Sequence, residues 1–263
     1  MGLLRAEMNV FPTGARSAAL GNASVTAANV YAVYNNQAAL GFVDNTYTSV
    51  DYLNRFLMPE LHTAAASFAT PVPYAGTVGA SVCSFGTSPY NELRASLALG
   101  KRLSQYIAIG AAVDYHQISI AHYGSTGAIT AEVGVLANPL QQLWVGAHVY
   151  NFTYSRFLSN IYSEQLPVIF NVGAGYQIIS TTALFLQGEF SSNQKGRFKA
   201  GVEHFLLPAF AIRVGTTLQP VELFAGVGYT LRSWTIDVAV AHHQTLGYSP
   251  HLSLSYIFGK GKM

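Results

Sequence analysis

The sequence is poor in charged residues. Asp, Glu, Lys and Arg make up only 10% of the 263 residues, and half of the residues are hydrophobic. An ordinary globular domain carries about 25% charged residues, and a surface with so few charges is hard to keep in water. The sequence also lacks any run of about 18 apolar residues, which a membrane-spanning helix requires. These two absences argue against a water-soluble domain and against a helical membrane protein.

Cysteine and basic clusters are scarce as well. The single cysteine, Cys83, excludes an intramolecular disulfide and a cysteine-based metal site. The net charge is +2, and no basic cluster is longer than Lys101-Arg102, so we do not expect nucleic acid as a partner. Residues 1–8 contain no apolar stretch long enough for a secretory signal. For an outer-membrane protein, this predicts that the sequence is the mature form.

Aromatic residues and glycine are abundant, with 16 Tyr, 15 Phe and 24 Gly. This composition favours many short strands with aromatic ends. In the segment 251–258 the even-numbered residues are Leu, Leu, Tyr and Phe, whereas Ser253 and Ser255 occupy the other face of an extended chain. A final strand of this kind suits the closure of a transmembrane β-barrel, which leaves no unpaired edge in lipid. In a soluble sandwich the same pattern would be a half-buried strand.

Between Thr46 and Phe258 the alternation of residues predicts about fourteen antiparallel strands, each near the length of about 9–11 residues that a tilted membrane strand needs. An even count would place both ends of the barrel on the periplasmic side. One set of connections is tight, as at 138–141 and 231–233. The other set is predicted to contain longer loops, at 53–61, 117–126, 153–167 and 243–250. This contrast is typical of the periplasmic and outer rims of a membrane barrel.

The alternation within strands separates charged from apolar residues. Ile107, Ile109 and Val113 point one way in the strand near 105–116, and Asp114 and His116 point the other way. A Lys or Arg that faces lipid at mid-membrane costs about 2–4 kcal/mol, so the charged face is predicted to line the lumen. The predicted lumen charges are Arg94, Asp114, Glu132, Glu189, Lys199, Glu203, Arg213 and Asp237.

Residues 1–45 differ from the rest of the chain. They have no strong period of 2 or 3.6 and predict compact irregular structure with at most a short helix. A barrel of about fourteen strands is too wide for its own side chains to fill. We therefore expect residues 1–45 to form a hatch in the lumen of a barrel made by 46–258, with 259–263 as a tail. Arg16 is expected to meet a lumen carboxylate; alternatively, it is solvated at the periplasmic mouth.

Two stretches of this segment resemble the amino-terminal signature of FadL-like outer-membrane proteins. Residues 14–23 read Gly-Ala-Arg-Ser-Ala-Ala-Leu-Gly-Asn-Ala, and residues 34–40 read Tyr-Asn-Asn-Gln-Ala-Ala-Leu. The signature is approximately G-A-R-x-x-x-(L/M)-G-x-A followed by (Y/F)-x-N-P-A-x-L. The hatch motif positions singled out here are Gly14, Arg16, Gly21, Asn36, Gln37 and Leu40. The branch that the sequence most resembles is the PorV and PorQ group associated with type IX secretion.

The resemblance implies a fourteen-stranded barrel in the outer membrane of a Gram-negative bacterium, with an amino-terminal hatch in the lumen. The sequence departs from the signature at Gln37, where the family has proline, so the local turn of the hatch is expected to differ. The chain is also short for the family, because its predicted outer loops are short. Functions that depend on long ligand-gripping loops are therefore in doubt.

The first functional hypothesis is a non-enzymatic interaction subunit of a larger outer-membrane complex for protein export, attachment or biogenesis. Its expected partners are outer-membrane lipid and other outer-membrane or secretion-complex proteins. The hypothesis rests on apolar residues in two predicted outer loops, because exposed apolar groups often mark contacts. These residues are Phe56, Leu57 and Met58 in one loop and Phe157, Leu158, Ile161 and Tyr162 in the other. Alternatively, they fold over the barrel mouth or dip into the outer leaflet.

The second hypothesis is a FadL-like channel for hydrophobic small molecules, which needs a path through or beside the hatch. Gly76, Gly79 and Gly86 either allow the third strand to distort or are small inward residues that accommodate the hatch. An enzyme is not expected, because no spacing joins the scattered histidines to a nucleophile. No cofactor or metal site is predicted, and His242-His243 at a strand end is typical of a rim.

Overall fold

The structure, a computed structural model, describes residues 14–158 and 163–259. Fourteen antiparallel strands form one closed barrel, and two short strands form a separate hairpin in a loop. This confirms the predicted all-β class and the strand count. The barrel strands are β1 (Thr46–Asn54), β2 (His62–Val72), β3 (Gly76–Thr87), β4 (Tyr90–Arg102), β5 (Ile107–Ile120), β6 (Gly124–Leu140), β7 (Leu143–Tyr150), β10 (Ile169–Ile179), β11 (Thr182–Ser191), β12 (Arg197–Leu207), β13 (Phe210–Leu218), β14 (Glu222–Leu231), β15 (Trp234–His243) and β16 (Gly247–Phe258). The hairpin consists of β8 (Arg156–Leu158) and β9 (Ser163–Gln165).

The last strand closes the barrel, as its sequence predicts. β16 pairs with β15 on one side and with β1 on the other, in a register that runs from Thr46 opposite Phe258 to Leu53 opposite His251. No edge of the sheet is left unpaired. The ring of Tyr256 packs against those of Trp234 and Phe258, with centroids 4.6 and 4.8 Å apart. Within the described part of the chain, no helix has the length and apolarity needed to cross a membrane.

The two faces of the barrel wall differ as the alternation predicts. In β5, Ile109 and Val113 are 46% and 56% exposed on the outer face, whereas Ala112 and Asp114 on the inner face are buried. The same pattern recurs in β15, where Val238 is exposed and Asp237 is buried. The outer wall is thus a continuous apolar surface, and the polar residues of the strands face inward.

The two rims of the barrel differ in their connections. Short turns join the strands at one rim, here called the short-turn rim, as at 141–142 and 232–233. The opposite rim, here called the loop rim, carries the longer connections 55–61 and 151–168. The predicted longer loops at 117–126 and 243–250 are wrong. In both places the strands continue to pair, so that only residues 121–123 and 244–246 remain as turns.

The described part of the amino-terminal segment, residues 14–45, contains two short helices, α1 (Ala15–Ala19) and α2 (Ala32–Asn35), and a 3₁₀ helix at Gln37–Phe42. The side chain of Asn36 caps the 3₁₀ helix, because its Oδ1 accepts a hydrogen bond from Ala38 N at 3.1 Å. The segment buries its apolar residues against small inward residues of the wall. This core consists of Val30, Tyr31, Ala32, Val33, Ala38, Ala39, Leu40, Val43, Ala69, Ala98, Ala112 and Leu136.

Strand β3 pairs continuously with its neighbours, although Gly76 and Gly86 have positive φ angles of 119° and 88°. It pairs with β2 and β4 without a register shift. Gly79 lies under the amino-terminal segment, because a Cβ at this position would come within 2.6 Å of Val33 Cγ2 and 3.1 Å of Leu40 Cδ1. Of the two roles considered for this glycine, the structure shows the accommodation of the segment. No distortion opens the wall at this strand.

Candidate functional site

Inward residues of β4, β5 and β6 form a buried ionic group, here called the Arg94 cluster, consisting of Arg94, Asp114 and Glu132. The Nη2 atom of Arg94 donates to Asp114 Oδ1 at 2.9 Å and also to Glu132 Oε1. Asp114 accepts further hydrogen bonds from Ser96 Oγ and from Thr130 Oγ1, the latter at 3.1 Å. All three ionic side chains are at most 3% exposed. One arginine therefore compensates two carboxylates in a site closed to water.

The Arg94 cluster also holds the amino-terminal segment. Glu132 Oε2 accepts a hydrogen bond from Gln37 Nε2 at 2.6 Å and lies 2.8 Å from His148 Nε2. Gln37 is fully buried. Proline, which the FadL-like signature has at this position, has no side-chain donor, so the sequence departure creates this link. From the sequence, Gln37 indicates only an altered local turn, and its contact with Glu132 is not predicted. The signal for this contact is an amide in a segment that lies opposite inward carboxylates.

A second ionic group, here called the Arg16 cluster, lies across the lumen and consists of the half-buried Arg16 and the buried residues Glu203, Arg213 and Asp237. Arg16 donates two hydrogen bonds to the carboxylate of Glu203, from Nε at 2.9 Å and from Nη2 at 2.7 Å. Arg213 donates to Glu203 and to Asp237, each at 2.6 Å. The ion pair expected of Arg16 is therefore present, and the two arginines of the cluster balance its two carboxylates.

The environment keeps Arg16 charged. Burial acts to lower the pKa of its guanidinium, but the charge and the hydrogen bonds of Glu203 outweigh burial and raise this pKa above its ordinary value. The guanidinium also lies 5.8 Å from the ring centroid of Phe185, within the range of a cation–π contact. Arg16 thus fixes α1 to the wall by charge, geometry and packing together.

Replacing Arg16 by Ala is expected to lower the free energy of unfolding by about 1.5–3 kcal/mol, the loss typical of hydrogen bonds to charged groups. The loss is limited because Glu203 keeps its bond to Arg213. Arg16→Lys keeps the charge but not the two-pronged geometry, so it should lose less. Urea unfolding of the protein in lipid vesicles measures both variants. Equal stability of Arg16→Ala and the parent protein would contradict the importance of this contact.

Uncharged inward side chains hold the backbone of the segment. Ser253 Oγ accepts from Ala15 N at 2.7 Å and donates to Asp51 at 2.6 Å. Gln187 Oε1 accepts from the backbone N–H groups of Ser24 and Val25 at 2.8 and 2.9 Å. Neither Ser253 nor Gln187 is predicted from the sequence to contact the segment. Serine and glutamine are common on any polar face, so their pattern carries no specific signal.

Lumen glycines allow the segment to approach the wall closely. A Cβ at Gly110 would overlap the backbone at Gln37 and Ala38, and a Cβ at Gly201 would lie 2.5 Å from the carbonyl oxygen of Leu20. No rotation of a side chain relieves a clash with backbone, so only glycine fits at these positions. These two glycines of the wall are thus contact points for the amino-terminal segment.

The motif residues lie at the bends and caps of this segment. Gly14 precedes α1 and Gly21 follows it, with φ angles of 83° and 67° that favour glycine. Asn36 Nδ2 donates to the carbonyl of Val25 at 2.8 Å, which ties the two halves of the segment together. Leu40 is fully buried in the core. The motif therefore specifies how the segment is shaped and seated.

A cavity of about 90 Å³, here called the vestibule, lies between the segment and the wall. Asn22, Ser24, Tyr34 and Asn35 of the segment form one side, and inward residues of β4, β7, β10, β11 and β12 form the other. Two predicted lumen charges, Glu189 and Lys199, meet here, with Lys199 Nζ 2.7 Å from Glu189 Oε2. Burial raises the pKa of the Tyr34 hydroxyl above its ordinary value, so this group lines the vestibule in its neutral form.

Several histidines take part in hydrogen bonds or ring contacts. His116 Nε2 lies 3.2 Å from Thr130 Oγ1 and 3.1 Å from the Tyr150 hydroxyl. His243 packs its ring against Phe56 at the loop rim. Across residues 14–158 and 163–259, no group of three or more His, Cys, Asp or Glu side chains is placed to hold a metal ion.

The apolar residues of the two longer loops have different positions. Leu57 and Met58 are exposed, at 62% and 49%, whereas Phe56 is half-buried against the rim. Phe157 is buried under its loop and packs with Ile118, Ala128 and Leu166. Phe157 therefore folds over the barrel mouth and is not exposed for contact with a partner. Leu158 ends β8, and Ile161 and Tyr162 lie outside the described residues.

A scan against models of protein families finds none that matches the chain, and a search of curated proteins finds no relative. Solved structures do resemble it. The CymD monoaromatic hydrocarbon channel superposes with a TM-score of 0.74 at 10% identity, over 95% of this chain and 98% of that one. The toluene transporter TodX of Pseudomonas putida gives 0.68 at 12% identity, over 93% and 98%. A FadL homologue from Pseudomonas aeruginosa gives 0.66 at 11% identity, over 95% and 99%.

These similarities extend over nearly the whole of each chain and show that the fold is the one found in FadL-type channels. At 10–12% identity they show the fold and nothing more. They support the resemblance to FadL-like proteins at the level of architecture. They give no support to the PorV and PorQ branch or to a link with type IX secretion.

Proposed function

We propose that this protein is an outer-membrane channel for hydrophobic small molecules and that its amino-terminal segment acts as a hatch in the lumen. The observation that carries the proposal is the closed fourteen-stranded barrel with an apolar outer wall and a charged, occupied interior. A wall of this kind suits lipid, because every backbone group of the strands is paired within a closed sheet. The solved structures that share the fold include two whose names describe transport of monoaromatic hydrocarbons or toluene.

The assignment of a hatch rests on how the segment contacts the wall around the lumen. The 3₁₀ helix contacts β3, β4, β5 and β6, and α1 contacts β13, β14, β15 and β16. Val25 reaches the wall between them, at β11. These contacts on several sides, made by the described residues, favour a lumen without a wide aqueous path. Passage of a molecule therefore requires the segment to shift, and the two ionic clusters set how readily it does so.

The outer-membrane location is part of the same proposal. Aromatic rings at the short-turn rim, such as those of Trp234 and Tyr256, match the aromatic girdle of membrane barrels. With short turns facing the periplasm, the loop rim would face the outside of a Gram-negative cell.

An interaction subunit is the second candidate function. The exposed side chains of Leu57 and Met58 at the loop rim favour it, because they form an apolar tip without cover from the described chain. Because Phe157 is buried, this residue does not support the interaction subunit. The comparisons favour the channel, because the solved structures with this fold include channels and a transporter. A partner in a secretion complex is therefore the weaker proposal.

Uptake by intact Gram-negative cells tests the channel function. Cells that make the protein are expected to take up radiolabelled toluene several times faster than cells that make an unrelated barrel at the same level. Uptake of a hydrophilic sugar should not change, because the hatch excludes a wide aqueous path. Equal toluene uptake in the two strains, with the folded protein present in the outer membrane, would contradict the proposal.

A further inference from the structure

The vestibule lies on the loop-rim side of the lumen. Its wall includes Tyr150 at the end of β7, Ile169 at the start of β10, and Lys199 close to the start of β12. All three positions are at or near the ends of strands that meet the loop rim. A molecule that enters the barrel from the loop rim therefore reaches the vestibule before it reaches the floor formed by the amino-terminal segment.

The lining of the vestibule is polar, unlike the outer wall. Eight of its twelve lining residues are Asn, Gln, Ser, Tyr or His, three are Arg, Glu or Lys, and one, Ile169, is aliphatic. Four of the eight are carboxamides, which both donate and accept hydrogen bonds; they are Asn22, Asn35, Asn171 and Gln187. A purely hydrocarbon ligand would offer no hydrogen bond to a polar group of the lining that the protein leaves unpaired, at a cost for that group.

The charged groups of the lining are already compensated by the protein. Lys199 pairs with Glu189 inside the vestibule, and Arg94 pairs with Asp114 and Glu132 behind it. A charged ligand would have to compete with these pairs. The lining therefore favours a neutral ligand that offers several hydroxyl groups over a carboxylate or an ammonium group.

One carboxamide is positioned to bind such a ligand. Asn171 is half-buried, and its Oδ1 accepts a hydrogen bond from Gln187 Nε2 at 2.9 Å. Gln187 is in turn held by the backbone of the segment. Among the described residues, the NH₂ group of Asn171 has no acceptor. It is a preoriented donor at the edge of the vestibule.

The size of the vestibule limits the ligand. A cavity needs at least about 10–15 Å³, measured in this way, to hold one water, so the vestibule of about 90 Å³ has room for a small group of several non-hydrogen atoms. This is the size of a glycerol unit or of a comparable small polyol. A longer molecule would have to leave its remaining atoms outside.

We propose that the vestibule binds the neutral, hydroxylated end of an amphipathic molecule, such as a glycerol head group. This inference rests on the proposed channel function and adds to the expected hydrocarbons a substrate class that the vestibule favours, molecules with an apolar chain and a polyol head. The head occupies the vestibule, and one of its hydroxyl groups accepts a hydrogen bond from the NH₂ group of Asn171. The chain extends toward the loop rim, and the hatch must move before the molecule passes.

The test compares 1-O-hexylglycerol with toluene, using the full chain. Binding of radiolabelled hexylglycerol to the protein in lipid nanodiscs is expected to be saturable and to weaken roughly fivefold in Asn171→Leu, the loss of about one hydrogen bond. Asn91→Leu is the matched control, because Asn91 lies near the loop rim but outside the vestibule. It should bind like the parent protein.

The outcomes separate this inference from the channel function. Saturable binding that depends on Asn171, together with faster cellular uptake of hexylglycerol than of toluene, supports both. Faster toluene uptake with no binding of hexylglycerol overturns the vestibule ligand and leaves the channel standing. Binding that depends on Asn171 without uptake of either molecule supports the ligand site and contradicts the channel. Binding that is equally weakened by Asn91→Leu would overturn the assignment of the site.

Discussion

Replacing Arg94 by Met is expected to lower the free energy of unfolding by about 3–5 kcal/mol, the range measured when one partner of a buried ion pair is removed. Asp114 and Glu132 would remain buried in the wall without the only arginine that contacts both of them in the described chain. Methionine has a similar length and no donor, so it leaves the space filled and the two carboxylates without compensation. The repulsion between them adds to the cost of burial.

Arg102→Met is the matched control for this substitution. Arg102 also forms an ion pair, with Asp44 at 3.2 Å, but the side chains are 39% and 77% exposed. Exposed pairs contribute about 0–1 kcal/mol, so this variant should unfold close to the parent protein. Urea unfolding in lipid vesicles gives both free energies. If Arg94→Met and Arg102→Met lower the free energy of unfolding equally, burial does not make the Arg94 cluster more important for stability than an exposed ion pair.

A third variant separates the charge from the packing of the Arg94 cluster. Adding Glu132→Gln to Arg94→Met removes one of the two uncompensated carboxylates while keeping the size of the side chain. The double variant is expected to recover part of the lost stability, because only Asp114 then remains charged. If the double variant is less stable than Arg94→Met alone, the loss does not come from uncompensated negative charge.

The barrel could be predicted from the sequence because its signal is local and repeated. Each strand alternates between an apolar outer face and a polar inner face, and a register slip would expose charge to lipid. The same signal identifies Asp114 and Asp237 as inward residues without any knowledge of their partners. The lengths of two loops could not be predicted this way, since residues near Gln117 and Gly127 continue to pair without strong alternation.

The candidate site was predicted less completely, because its contacts join distant parts of the chain. Charge balance suggested that Arg16 meets a carboxylate, but it could not select Glu203, which is 187 residues away. The bond from Gln37 to Glu132 depends on the path of the segment through the lumen, which no periodic pattern describes. The polar vestibule likewise arises from the way Asn171 and Gln187 face the segment. Such a cavity has no signature in the sequence.

The amino-terminal segment is predicted to close the lumen, and this can be measured as ion conductance in planar lipid bilayers. The full chain should show little or no conductance, because residues 14–43 contact the wall around the lumen. A variant that lacks residues 1–43 should form a stable open pore, because a barrel of fourteen strands is too wide for its own side chains to fill. The migration of unheated samples in gel electrophoresis checks that the shortened barrel is folded.

This comparison tests the central claim most directly, because conductance shows whether the lumen is open or closed without assuming any substrate. A silent full chain and a conducting, folded variant are the predicted result. If the full chain conducts as well as the variant, the segment does not close the lumen, and a hatch that gates hydrophobic molecules is contradicted.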